Sequence, residues 1–599
     1  MKSRVCGLLV LAACGVPDPG AESDSMPAGA APQIARTQDD WHAAMQRLSL
    51  PAEGCFQSDF PRIEWKQVAC AHHASVPYPP RPGGRPERVG NRTDFAAIPA
   101  HLISSAEGSF DSVTGVTSID SRPSGGGSEF SLQLNTKPFV TLACSSSPNP
   151  GCRGWQQFVY SNRGVALIQY WLLSYNTTCP FGWYTFTFPS SSDIYCYKDG
   201  LGQATVPRQA VSNLRNLTLG GTATAGGIDA ITMRTGTTMY SASNPDGELG
   251  LAAGWTDAEF NIFGDCCGSD AAFNAGSAVT VRTTVHDGTM DAPTCRMEGF
   301  TGETNNLTLV GTPAVVGALM SPAIVFNQSN VAPLSAASCA SATGTGEPHL
   351  TTFSGSYFDF QATGDFLLAQ RGPDFVVQTR QVSGAPTWPW AAVNKAVATR
   401  MGKTRIALCH GPDRLEIDGK RAAVEDGGEI DLPEATIVRQ GASYLITGQN
   451  GDSVRADFYP GYIDVTVGLG QYPDTVLGLL GPGRDNTEIV TRDGTVLTRP
   501  VSLDELYTKF GDSWRVPAKE SLLCDDKQVE IRNPDKPFCV ADLDPKIREH
   551  ARGVCLQFGV KPGPALDACI LDVAVLGDAA ARAFVGVNPA LVVGPTGCP

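Results

Sequence analysis

Short runs of strand-forming residues, separated by turn-forming residues, are the feature that most constrains the fold of this chain. Between about residues 91 and 309, β-branched and aromatic residues cluster in short segments such as 130–134 and 165–172, with Gly, Asn, Ser and Pro between them. Alternation over such short runs, with regular turn signals, is typical of an all-β sandwich. We therefore predict a mainly β protein whose N-terminal part is a β-sandwich.

The length and composition limit the classes of protein that fit. A chain of 599 residues is long enough for two or three domains, each with its own core. Its 64 glycines and 43 prolines favour turn-rich β structure over helical bundles. The formal charge of −15, from 60 acidic and 45 basic residues, argues against nucleic acid or anionic lipid headgroups as partners. We predict a solvated acidic surface and no nucleic-acid partner.

The N-terminus has the pattern of an export signal. Lys2 and Arg4 precede the apolar run 7–13, which is too short to span a bilayer. The tetrapeptide ending in Cys14 resembles a bacterial lipobox, in which the cysteine is acylated and anchors the protein to a membrane. The resemblance implies an extracytoplasmic lipoprotein at the cell surface or outer membrane. An ordinary cleaved signal peptide, giving a secreted protein, is the alternative.

The 18 cysteines suggest an oxidising compartment, and sixteen remain when Cys6 and Cys14 are set aside. Short spacings suggest three local bridges, and further candidates lie towards the C-terminus. The candidates are Cys55 with Cys70, Cys144 with Cys152, Cys179 with Cys196, and Cys339, Cys524, Cys555 and Cys569. Connectivity stays open at this point. We expect the adjacent Cys266 and Cys267 to join two different partners.

Three landmarks in the second half follow each other in a familiar order. The run 346–355 reads Gly-Glu-Pro-His-Leu-Thr-Thr-Phe-Ser-Gly, 478–481 reads Gly-Leu-Leu-Gly, and 510–514 reads Phe-Gly-Asp-Ser-Trp. Together they resemble the von Willebrand factor type D domain. The resemblance implies an antiparallel β module of adhesive or matrix-forming proteins. It therefore implies adhesion, or another extracellular interaction, with a protein or cell-surface ligand as partner.

Some family features are altered in this chain. Relatives bind calcium in an Asn/Asp-rich turn after the Gly-Leu-Cys-Gly motif, and the matching stretch here offers only Asp485, Asn486 and Glu488. These residues are a candidate calcium site, with a solvated turn as the alternative, and no other cofactor is predicted. Glu347 stands where some relatives have the aspartate of a self-cleaving Asp-Pro bond, and Leu480 replaces the motif cysteine. We expect neither self-cleavage nor thiol exchange.

Local signals support this β module and a different C-terminal segment. Asp418-Gly419, Asn450-Gly451 and Asp493-Gly494 stand beside strand-like runs, as the turns of β-hairpins do. From Pro545 to about Val587 the apolar spacing becomes helical. We predict an antiparallel β domain followed by a short helical segment.

The first half also resembles the glutamic peptidases, which are β-sandwich acid endopeptidases. The segments 132–134, 155–160 and 255–265 follow the order of that family's motifs. The resemblance implies that Glu259 is the general base for water and that Gln133 orients the water and stabilises the oxyanion. Asn135 departs from the family's pattern after the glutamine. The alternative is that Gln133 and Glu259 are ordinary strand residues facing water.

Whether the chain is an enzyme is left open, because the glutamic-peptidase resemblance is the only enzymatic signal. None of the eight histidines stands in a recognisable nucleophile context. The Pro-rich stretch 76–90 is predicted to be an extended strap across the first domain. The predicted organisation is a signal and lipobox leader (1–14), a flexible tether (15–40), an N-terminal β-sandwich domain (41–311), a linker (312–340), a von Willebrand D-like domain (341–524) and a cysteine-containing helical tail (525–599).

Overall fold

A computed structural model gives the fold of most of the chain. It describes residues 33–81, 90–122, 129–189, 191–299, 301–316, 321–330, 338–385, 388–411, 414–471, 475–481, 488–524, 529–536, 538–585 and 591–592. The predicted leader with Cys14 and most of the predicted tether lie outside these ranges. The candidate calcium ligands Asp485 and Asn486 lie outside them as well.

The described residues up to 330 form one α-helix and a long series of strands. Helix α1 (Gln38–Arg47) begins after Thr37, whose side chain accepts a hydrogen bond from the backbone of Asp40. The strands are β1 (Gln33–Ile34), β2 (Gly54–Asp59), β3 (Arg62–Ile63), β4 (Lys66–Val68), β5 (Gly90–Ile98), β6 (Ser105–Thr114), β7 (Ile119–Arg122), β8 (Ser131–Thr136), β9 (Arg153–Ser161), β10 (Val165–Leu173), β11 (Tyr184–Phe186), β12 (Tyr195–Thr205), β13 (Leu217–Ala223), β14 (Ile228–Thr235), β15 (Thr238–Pro245), β16 (Ala258–Phe263), β17 (Asp270–Phe273), β18 (Ala278–His286), β19 (Thr294–Gly299), β20 (Thr304–Asn305), β21 (Thr308–Val316) and β22 (Ala323–Ser329).

Two large antiparallel sheets contain most of these strands. One has eight strands in the order β11-β12-β10-β9-β8-β16-β5-β19, and the other has nine in the order β21-β22-β18-β6-β13-β14-β15-β2-β4. Strands β21 and β22 come largely from the stretch predicted as a linker, and they pair with each other and with β18. The predicted N-terminal β-sandwich is confirmed, whereas the predicted domain boundaries stay predictions.

Aromatic side chains fill the space between the two sheets. Phe260 of the eight-stranded sheet packs on Phe110 of the nine-stranded sheet, with ring centroids 5.3 Å apart. Glycine makes room for these rings, because a Cβ at Gly108 would lie 1.8 Å from the Phe260 ring and one at Gly221 would lie 2.5 Å from Phe158. The close approach of the sheets therefore depends on these two glycines.

The described residues after 338 form a second β region. Its strands are β23 (Ala340–Thr345), β24 (His349–Thr351), β25 (Ser356–Asp359), β26 (Gly364–Arg371), β27 (Phe375–Ala385), β28 (Trp388–Met401), β29 (Thr404–Cys409), β30 (Leu415–Ile417), β31 (Lys420–Ala422), β32 (Glu429–Asp431), β33 (Ala435–Gln440), β34 (Ser443–Gly448), β35 (Ser453–Tyr459), β36 (Tyr462–Leu469), β37 (Ile489–Val490) and β38 (Val496–Leu497). Asp418-Gly419 connects β30 to β31, and both residues have positive φ angles, of 48° and 75°. The predicted hairpin at this dipeptide is confirmed.

Most of these strands form two sheets, of nine and six strands. The larger sheet has the order β32-β33-β34-β35-β36-β23-β24-β25 and ends with a short strand, β39 (Leu591–Val592). The two largest clusters of buried apolar residues meet here, one ending at Cys339 and the other beginning at Ala340. The strands after 340 therefore have a hydrophobic core of their own.

The chain ends in a small helical region. Helix α2 (Pro545–Gln557) begins after Asp544, whose side chain accepts hydrogen bonds from two backbone N–H groups. Helix α3 (Pro564–Leu576) is almost entirely buried, and a disulfide bond between Cys555 and Cys569 joins it to α2. The predicted helical segment is confirmed. None of the helices in the described ranges has the length and apolarity that crossing a bilayer requires.

Disulfide bonds include every one of the candidate cysteines. The bonds are Cys55–Cys70, Cys144–Cys152, Cys179–Cys196, Cys295–Cys339, Cys409–Cys524 and Cys555–Cys569. Cys266 and Cys267 are bonded to each other, so the expectation that they join different partners is wrong. Positive φ angles of 75° and 62° at these two residues form the tight turn that brings their side chains together.

Candidate functional site

The face of the eight-stranded sheet that points away from the sandwich core is lined with polar side chains. Strand pairing places Asn261 opposite Gln133 and Glu259 opposite Asn135, and places Asn135 opposite Gln157. Side chains alternate along each strand, so the apolar residues between them point into the core instead. We call this set the polar face, and its members are Gln133, Asn135, Gln157, Gln169, Glu259 and Asn261.

The two sequence-predicted catalytic residues lie on this same face and are connected through Asn135. The Nδ2 atom of Asn135 donates to Oε2 of Glu259 over 3.1 Å and lies 3.4 Å from Oε1 of Gln133. Nε2 of Gln157 adds contacts of 3.3 Å to Oε1 of Gln133 and 3.1 Å to Oδ1 of Asn135. A neutral amide and a carboxyl group are thus held together on neighbouring strands, although 126 residues separate them in sequence.

A second carboxyl group lies beside Gln133. The hydroxyl of Thr301 lies 3.2 Å from Oε1 of Gln133 and 2.7 Å from Oε2 of Glu303, and its single proton can serve only one of them at a time. Burial raises the pKa of Glu303 to about 7, although hydrogen bonds from Gly268 and Thr301 act in the opposite direction. A carboxyl group with a pKa near neutrality can take up or release a proton under mild conditions.

Part of the predicted strap, residues 76–81, covers the edge of the polar face. The backbone N–H of Tyr78 donates to Oε1 of Gln169 over 2.8 Å, and Nε2 of Gln169 donates to the carbonyl of Val76 over 2.9 Å. Further along, Pro80 forms a bridge with Thr301, the residue that contacts Gln133. The strap and the segment from residue 301 therefore form one layer over the sheet.

Both candidate catalytic residues are enclosed by this arrangement. Gln133 and Glu259 have no solvent-exposed surface, so the alternative in which they face water does not describe their surroundings. Chemically, the arrangement offers an amide donor and a carboxylate acceptor in a protected environment, where polar interactions are strong. A peptide substrate reaches them only if the covering layer moves.

Sequence reasoning missed the residues that connect the pair. In the sequence Asn135 stands only as a departure from the peptidase pattern, and Thr301 and Glu303 belong to none of the motifs. The sequence does contain one signal for this face. Gln133 and Asn135 are polar residues two positions apart, and so are Glu259 and Asn261. Polar residues at a spacing of two in otherwise apolar strands predict a polar face.

The signature at the start of the second β region contacts the C-terminal helices. The backbone N–H of Glu347 donates to Oδ1 of Asp572 on α3 over 3.0 Å, and that of Gly346 donates to Oδ1 of Asp464 over 2.7 Å. The candidate calcium ligand Glu488 is exposed. The calcium site itself stays a prediction, because its other two ligands lie outside the described residues.

A family model matches the second β region. Residues 342–495 match the von Willebrand factor type D domain, which confirms the resemblance read from the signature. Together with the disulfide bonds, this match to part of the chain indicates a mainly β extracellular protein with an interaction role. No curated protein matches the chain.

Solved structures also match part of the chain. One is a crystal structure of scytalido-glutamic peptidase with a transition state analog inhibitor, which is 11% identical, with 40% of this chain and 97% of that chain covered. The TM-score is 0.17, which is too low to support an argument about function. The case for peptidase chemistry therefore depends on the polar face alone.

Proposed function

We propose that this chain is an exported surface protein, held to a membrane through Cys14, that adheres to extracellular or cell-surface proteins. The match of residues 342–495 to a type D domain carries the proposal. Acylation of Cys14 would place that domain outside the cell on a membrane anchor. The disulfide bonds throughout the described residues support an oxidising environment of this kind.

Two disulfide-bonded loops of the N-terminal sandwich would add contact residues to those of the type D domain. Leu142 and Phe181 are almost completely exposed, at 91% and 106% of the reference surface. Leu142 lies next to the Cys144–Cys152 bond and Phe181 next to the Cys179–Cys196 bond. A large apolar side chain that is already held in place at the surface loses little conformational entropy when it binds a partner. Side chains of this kind often anchor protein–protein interfaces.

Adhesion can be tested with beads coated with the full chain. We expect the beads to adhere to intact cells and to adhere weakly to cells whose surface proteins have been removed with trypsin. Phe181→Ser is expected to reduce adhesion to intact cells. Ile531→Ser is the matched control, because Ile531 is also exposed, at 68%, but is not next to either of these disulfide bonds. Equal adhesion to intact and trypsin-treated cells would contradict a protein partner.

The membrane anchor has a separate test. Mass spectrometry of the mature N-terminus is expected to show an acylated Cys14 as the first residue, and Cys14→Ser is expected to release the protein from the membrane fraction. An unmodified start at any other residue would contradict the anchor.

Acid endopeptidase activity is a second candidate function, favoured by the Gln133–Asn135–Glu259 contacts. In this role Glu259 would accept a proton from the attacking water, and Gln133 would donate to the developing oxyanion. Loss of a general base typically reduces the rate by about 10²–10⁴-fold.

Casein digestion at acidic pH tests this candidate. We expect Glu259→Gln to abolish digestion and Asp111→Asn, which removes a surface carboxylate on the other sheet, to leave it unchanged. The assay is repeated with Tyr78→Phe, which weakens the covering strap. Digestion by both the wild type and Glu259→Gln, or by neither the wild type nor Tyr78→Phe, would contradict peptidase activity.

A further inference from the structure

A buried cluster of ionisable side chains joins the type D signature to helix α3. Glu347, His349 and Asp572 are each at most 1% exposed, and one potential ligand atom from each lies within 4.8 Å of the others. The rings of Tyr357 and Phe584 pack on His349, with centroids 6.1 Å and 5.7 Å away. The cluster is therefore shielded from solvent.

The imidazole of His349 is oriented as metal-binding histidines are. Its Nδ1 lies 2.6 Å from Oδ1 of Asp359, so a proton on Nδ1 is donated to that carboxylate. Its Nε2 faces Oδ1 of Asp572 at 3.3 Å. A carboxylate on one ring nitrogen commonly fixes the tautomer and directs the lone pair of the other nitrogen at a metal ion.

Glu347 points into the same space. Both of its carboxylate oxygens are buried, and neither has a hydrogen-bond partner within 3.5 Å among the described residues, with the side chain of Gln361 as a more distant polar neighbour. Oδ2 of Asp572 is also buried and also has no hydrogen-bond partner among the described residues. Burying a carboxylate oxygen without a donor or a cation is costly, so these atoms indicate a positively charged occupant.

The charges of the cluster do not balance without such an occupant. Four carboxyl groups lie around one imidazole: Asp359 is half-exposed, and the other three, those of Glu347, Asp464 and Asp572, are buried. This excess of buried negative charge favours a multivalent cation among these groups.

We propose that Glu347, His349 and Asp572 bind a divalent transition-metal ion of the zinc type. One imidazole nitrogen and two carboxylates are a donor set that such ions accept, whereas calcium prefers oxygen ligands alone. Tetrahedral zinc, with bonds of about 2.0–2.1 Å, separates its ligand atoms by about 3.3 Å, which is the spacing between His349 and Asp572. A carboxylate oxygen of Glu347 lies within 4.8 Å of both of these ligand atoms.

The metal ion would fasten the C-terminal helices to the type D domain. Glu347 and Asp572 are 225 residues apart, and the ion would add a direct link to the single backbone hydrogen bond between them. Because the site is complete only when both regions are folded, metal binding is coupled to docking of α3. This role is independent of adhesion and of peptidase activity.

The full chain, purified without a histidine tag and stripped with a chelator, is titrated with Zn²⁺ by calorimetry. We expect uptake of about one equivalent and a higher melting temperature. Glu347→Gln and Asp572→Asn are expected to lose the uptake, and Asp359→Asn to weaken it about 10–100-fold because the imidazole is no longer oriented. His550→Gln is the matched control: it removes an exposed histidine that contacts Asp578 at 2.9 Å, and uptake should not change.

Cobalt gives a test that depends on no variant. Co²⁺ added to the stripped wild-type chain is expected to give visible d–d absorption, and excess Ca²⁺ should not remove it. Absence of both Zn²⁺ uptake and the Co²⁺ absorption would overturn the proposal and leave a protonated His349 paired with Asp359 and Asp572. Uptake that persists in folded Glu347→Gln and Asp572→Asn, checked by circular dichroism, would overturn it too.

Discussion

The hydroxyl of Tyr78 donates a hydrogen bond to Oδ1 of Asp265 over 2.8 Å. Tyr78 belongs to the strap, and Asp265 lies two residues after β16, the strand that carries Glu259. Nε of Arg163 pairs with the other carboxylate oxygen of Asp265 at 2.6 Å. One tyrosine therefore holds the strap through its side chain, while its backbone N–H binds Gln169.

Tyr78→Phe is predicted to loosen the strap without unfolding the sandwich. The variant keeps the buried ring but leaves Oδ1 of Asp265 without this donor, which costs about 1–3 kcal/mol for a buried group. We expect faster hydrogen exchange at residues 76–81 than in the wild type. Tyr184→Phe, at an exposed tyrosine, is the control and should change nothing. Unchanged exchange in Tyr78→Phe would show that other contacts hold the strap.

Alanine at two glycines is predicted to change stability in opposite directions. Gly108→Ala places a Cβ 1.8 Å from the Phe260 ring between the sheets, so we expect a loss of about 1–3 kcal/mol. Gly553→Ala, on the open surface of α2, meets no atom within 4 Å and should gain about 0.5–1 kcal/mol through helix propensity. Thermal unfolding of both variants checks this, and a neutral Gly108→Ala would contradict the tight sheet packing.

Asp229 is predicted to make the protein less stable as the pH rises. Burial raises the pKa of Asp229 to about 7, although Gln156 donates to it over 2.9 Å. The folded state thus holds a proton that the unfolded state releases near pH 4, so stability falls between about pH 4 and 7. The contribution has a slope of up to about 1.4 kcal/mol per pH unit.

Urea unfolding at about pH 5 and pH 8 measures the effect of Asp229. We expect Asp229→Asn to lose less stability over this interval than the wild type does. Asp111→Asn, which removes a carboxylate that is partly exposed and paired with Arg282, should keep the wild-type difference. An Asp229→Asn protein with the full wild-type difference would show that this carboxyl group is not the cause.

Removing the Cys409–Cys524 bond is predicted to cost more stability than removing the Cys144–Cys152 bond. The first joins residues 115 positions apart and the second joins residues 8 apart. In the chain-entropy model, a loop of about 100 residues contributes about 4.7 kcal/mol and one of about 15 contributes about 3 kcal/mol. Calorimetry of the two double serine variants gives the order, and equal losses would contradict this explanation.

Structural features that depend only on residues close together in the sequence could be predicted from the sequence. The Asp418-Gly419 hairpin was predictable because both residues tolerate positive φ, and the helical tail was predictable from its apolar spacing. The bond between Cys266 and Cys267 was not foreseen, because it depends on two consecutive residues with positive φ. Ordinary residues rarely adopt that conformation.

The candidate sites depend on contacts between distant parts of the chain. The resemblance to peptidases paired Gln133 with Glu259, but their joint burial follows from strand register and from the covering layer at Thr301. The cluster at His349 was harder to predict, because Asp572 lies on a helix whose docking no local pattern indicates. Local sequence patterns contain no information about such pairings.

The Cys295–Cys339 bond has a mechanical consequence. It connects β19 of the sandwich directly to the residue before β23, where the second core begins. Tension between a membrane-bound N-terminus and a partner held by the type D domain would pass through the two sulfur atoms. The force would not pass through the 43 residues between the two cysteines, because the disulfide bond is the shorter covalent path. Strands β21 and β22, which lie in this stretch, would therefore stay folded while the protein is pulled.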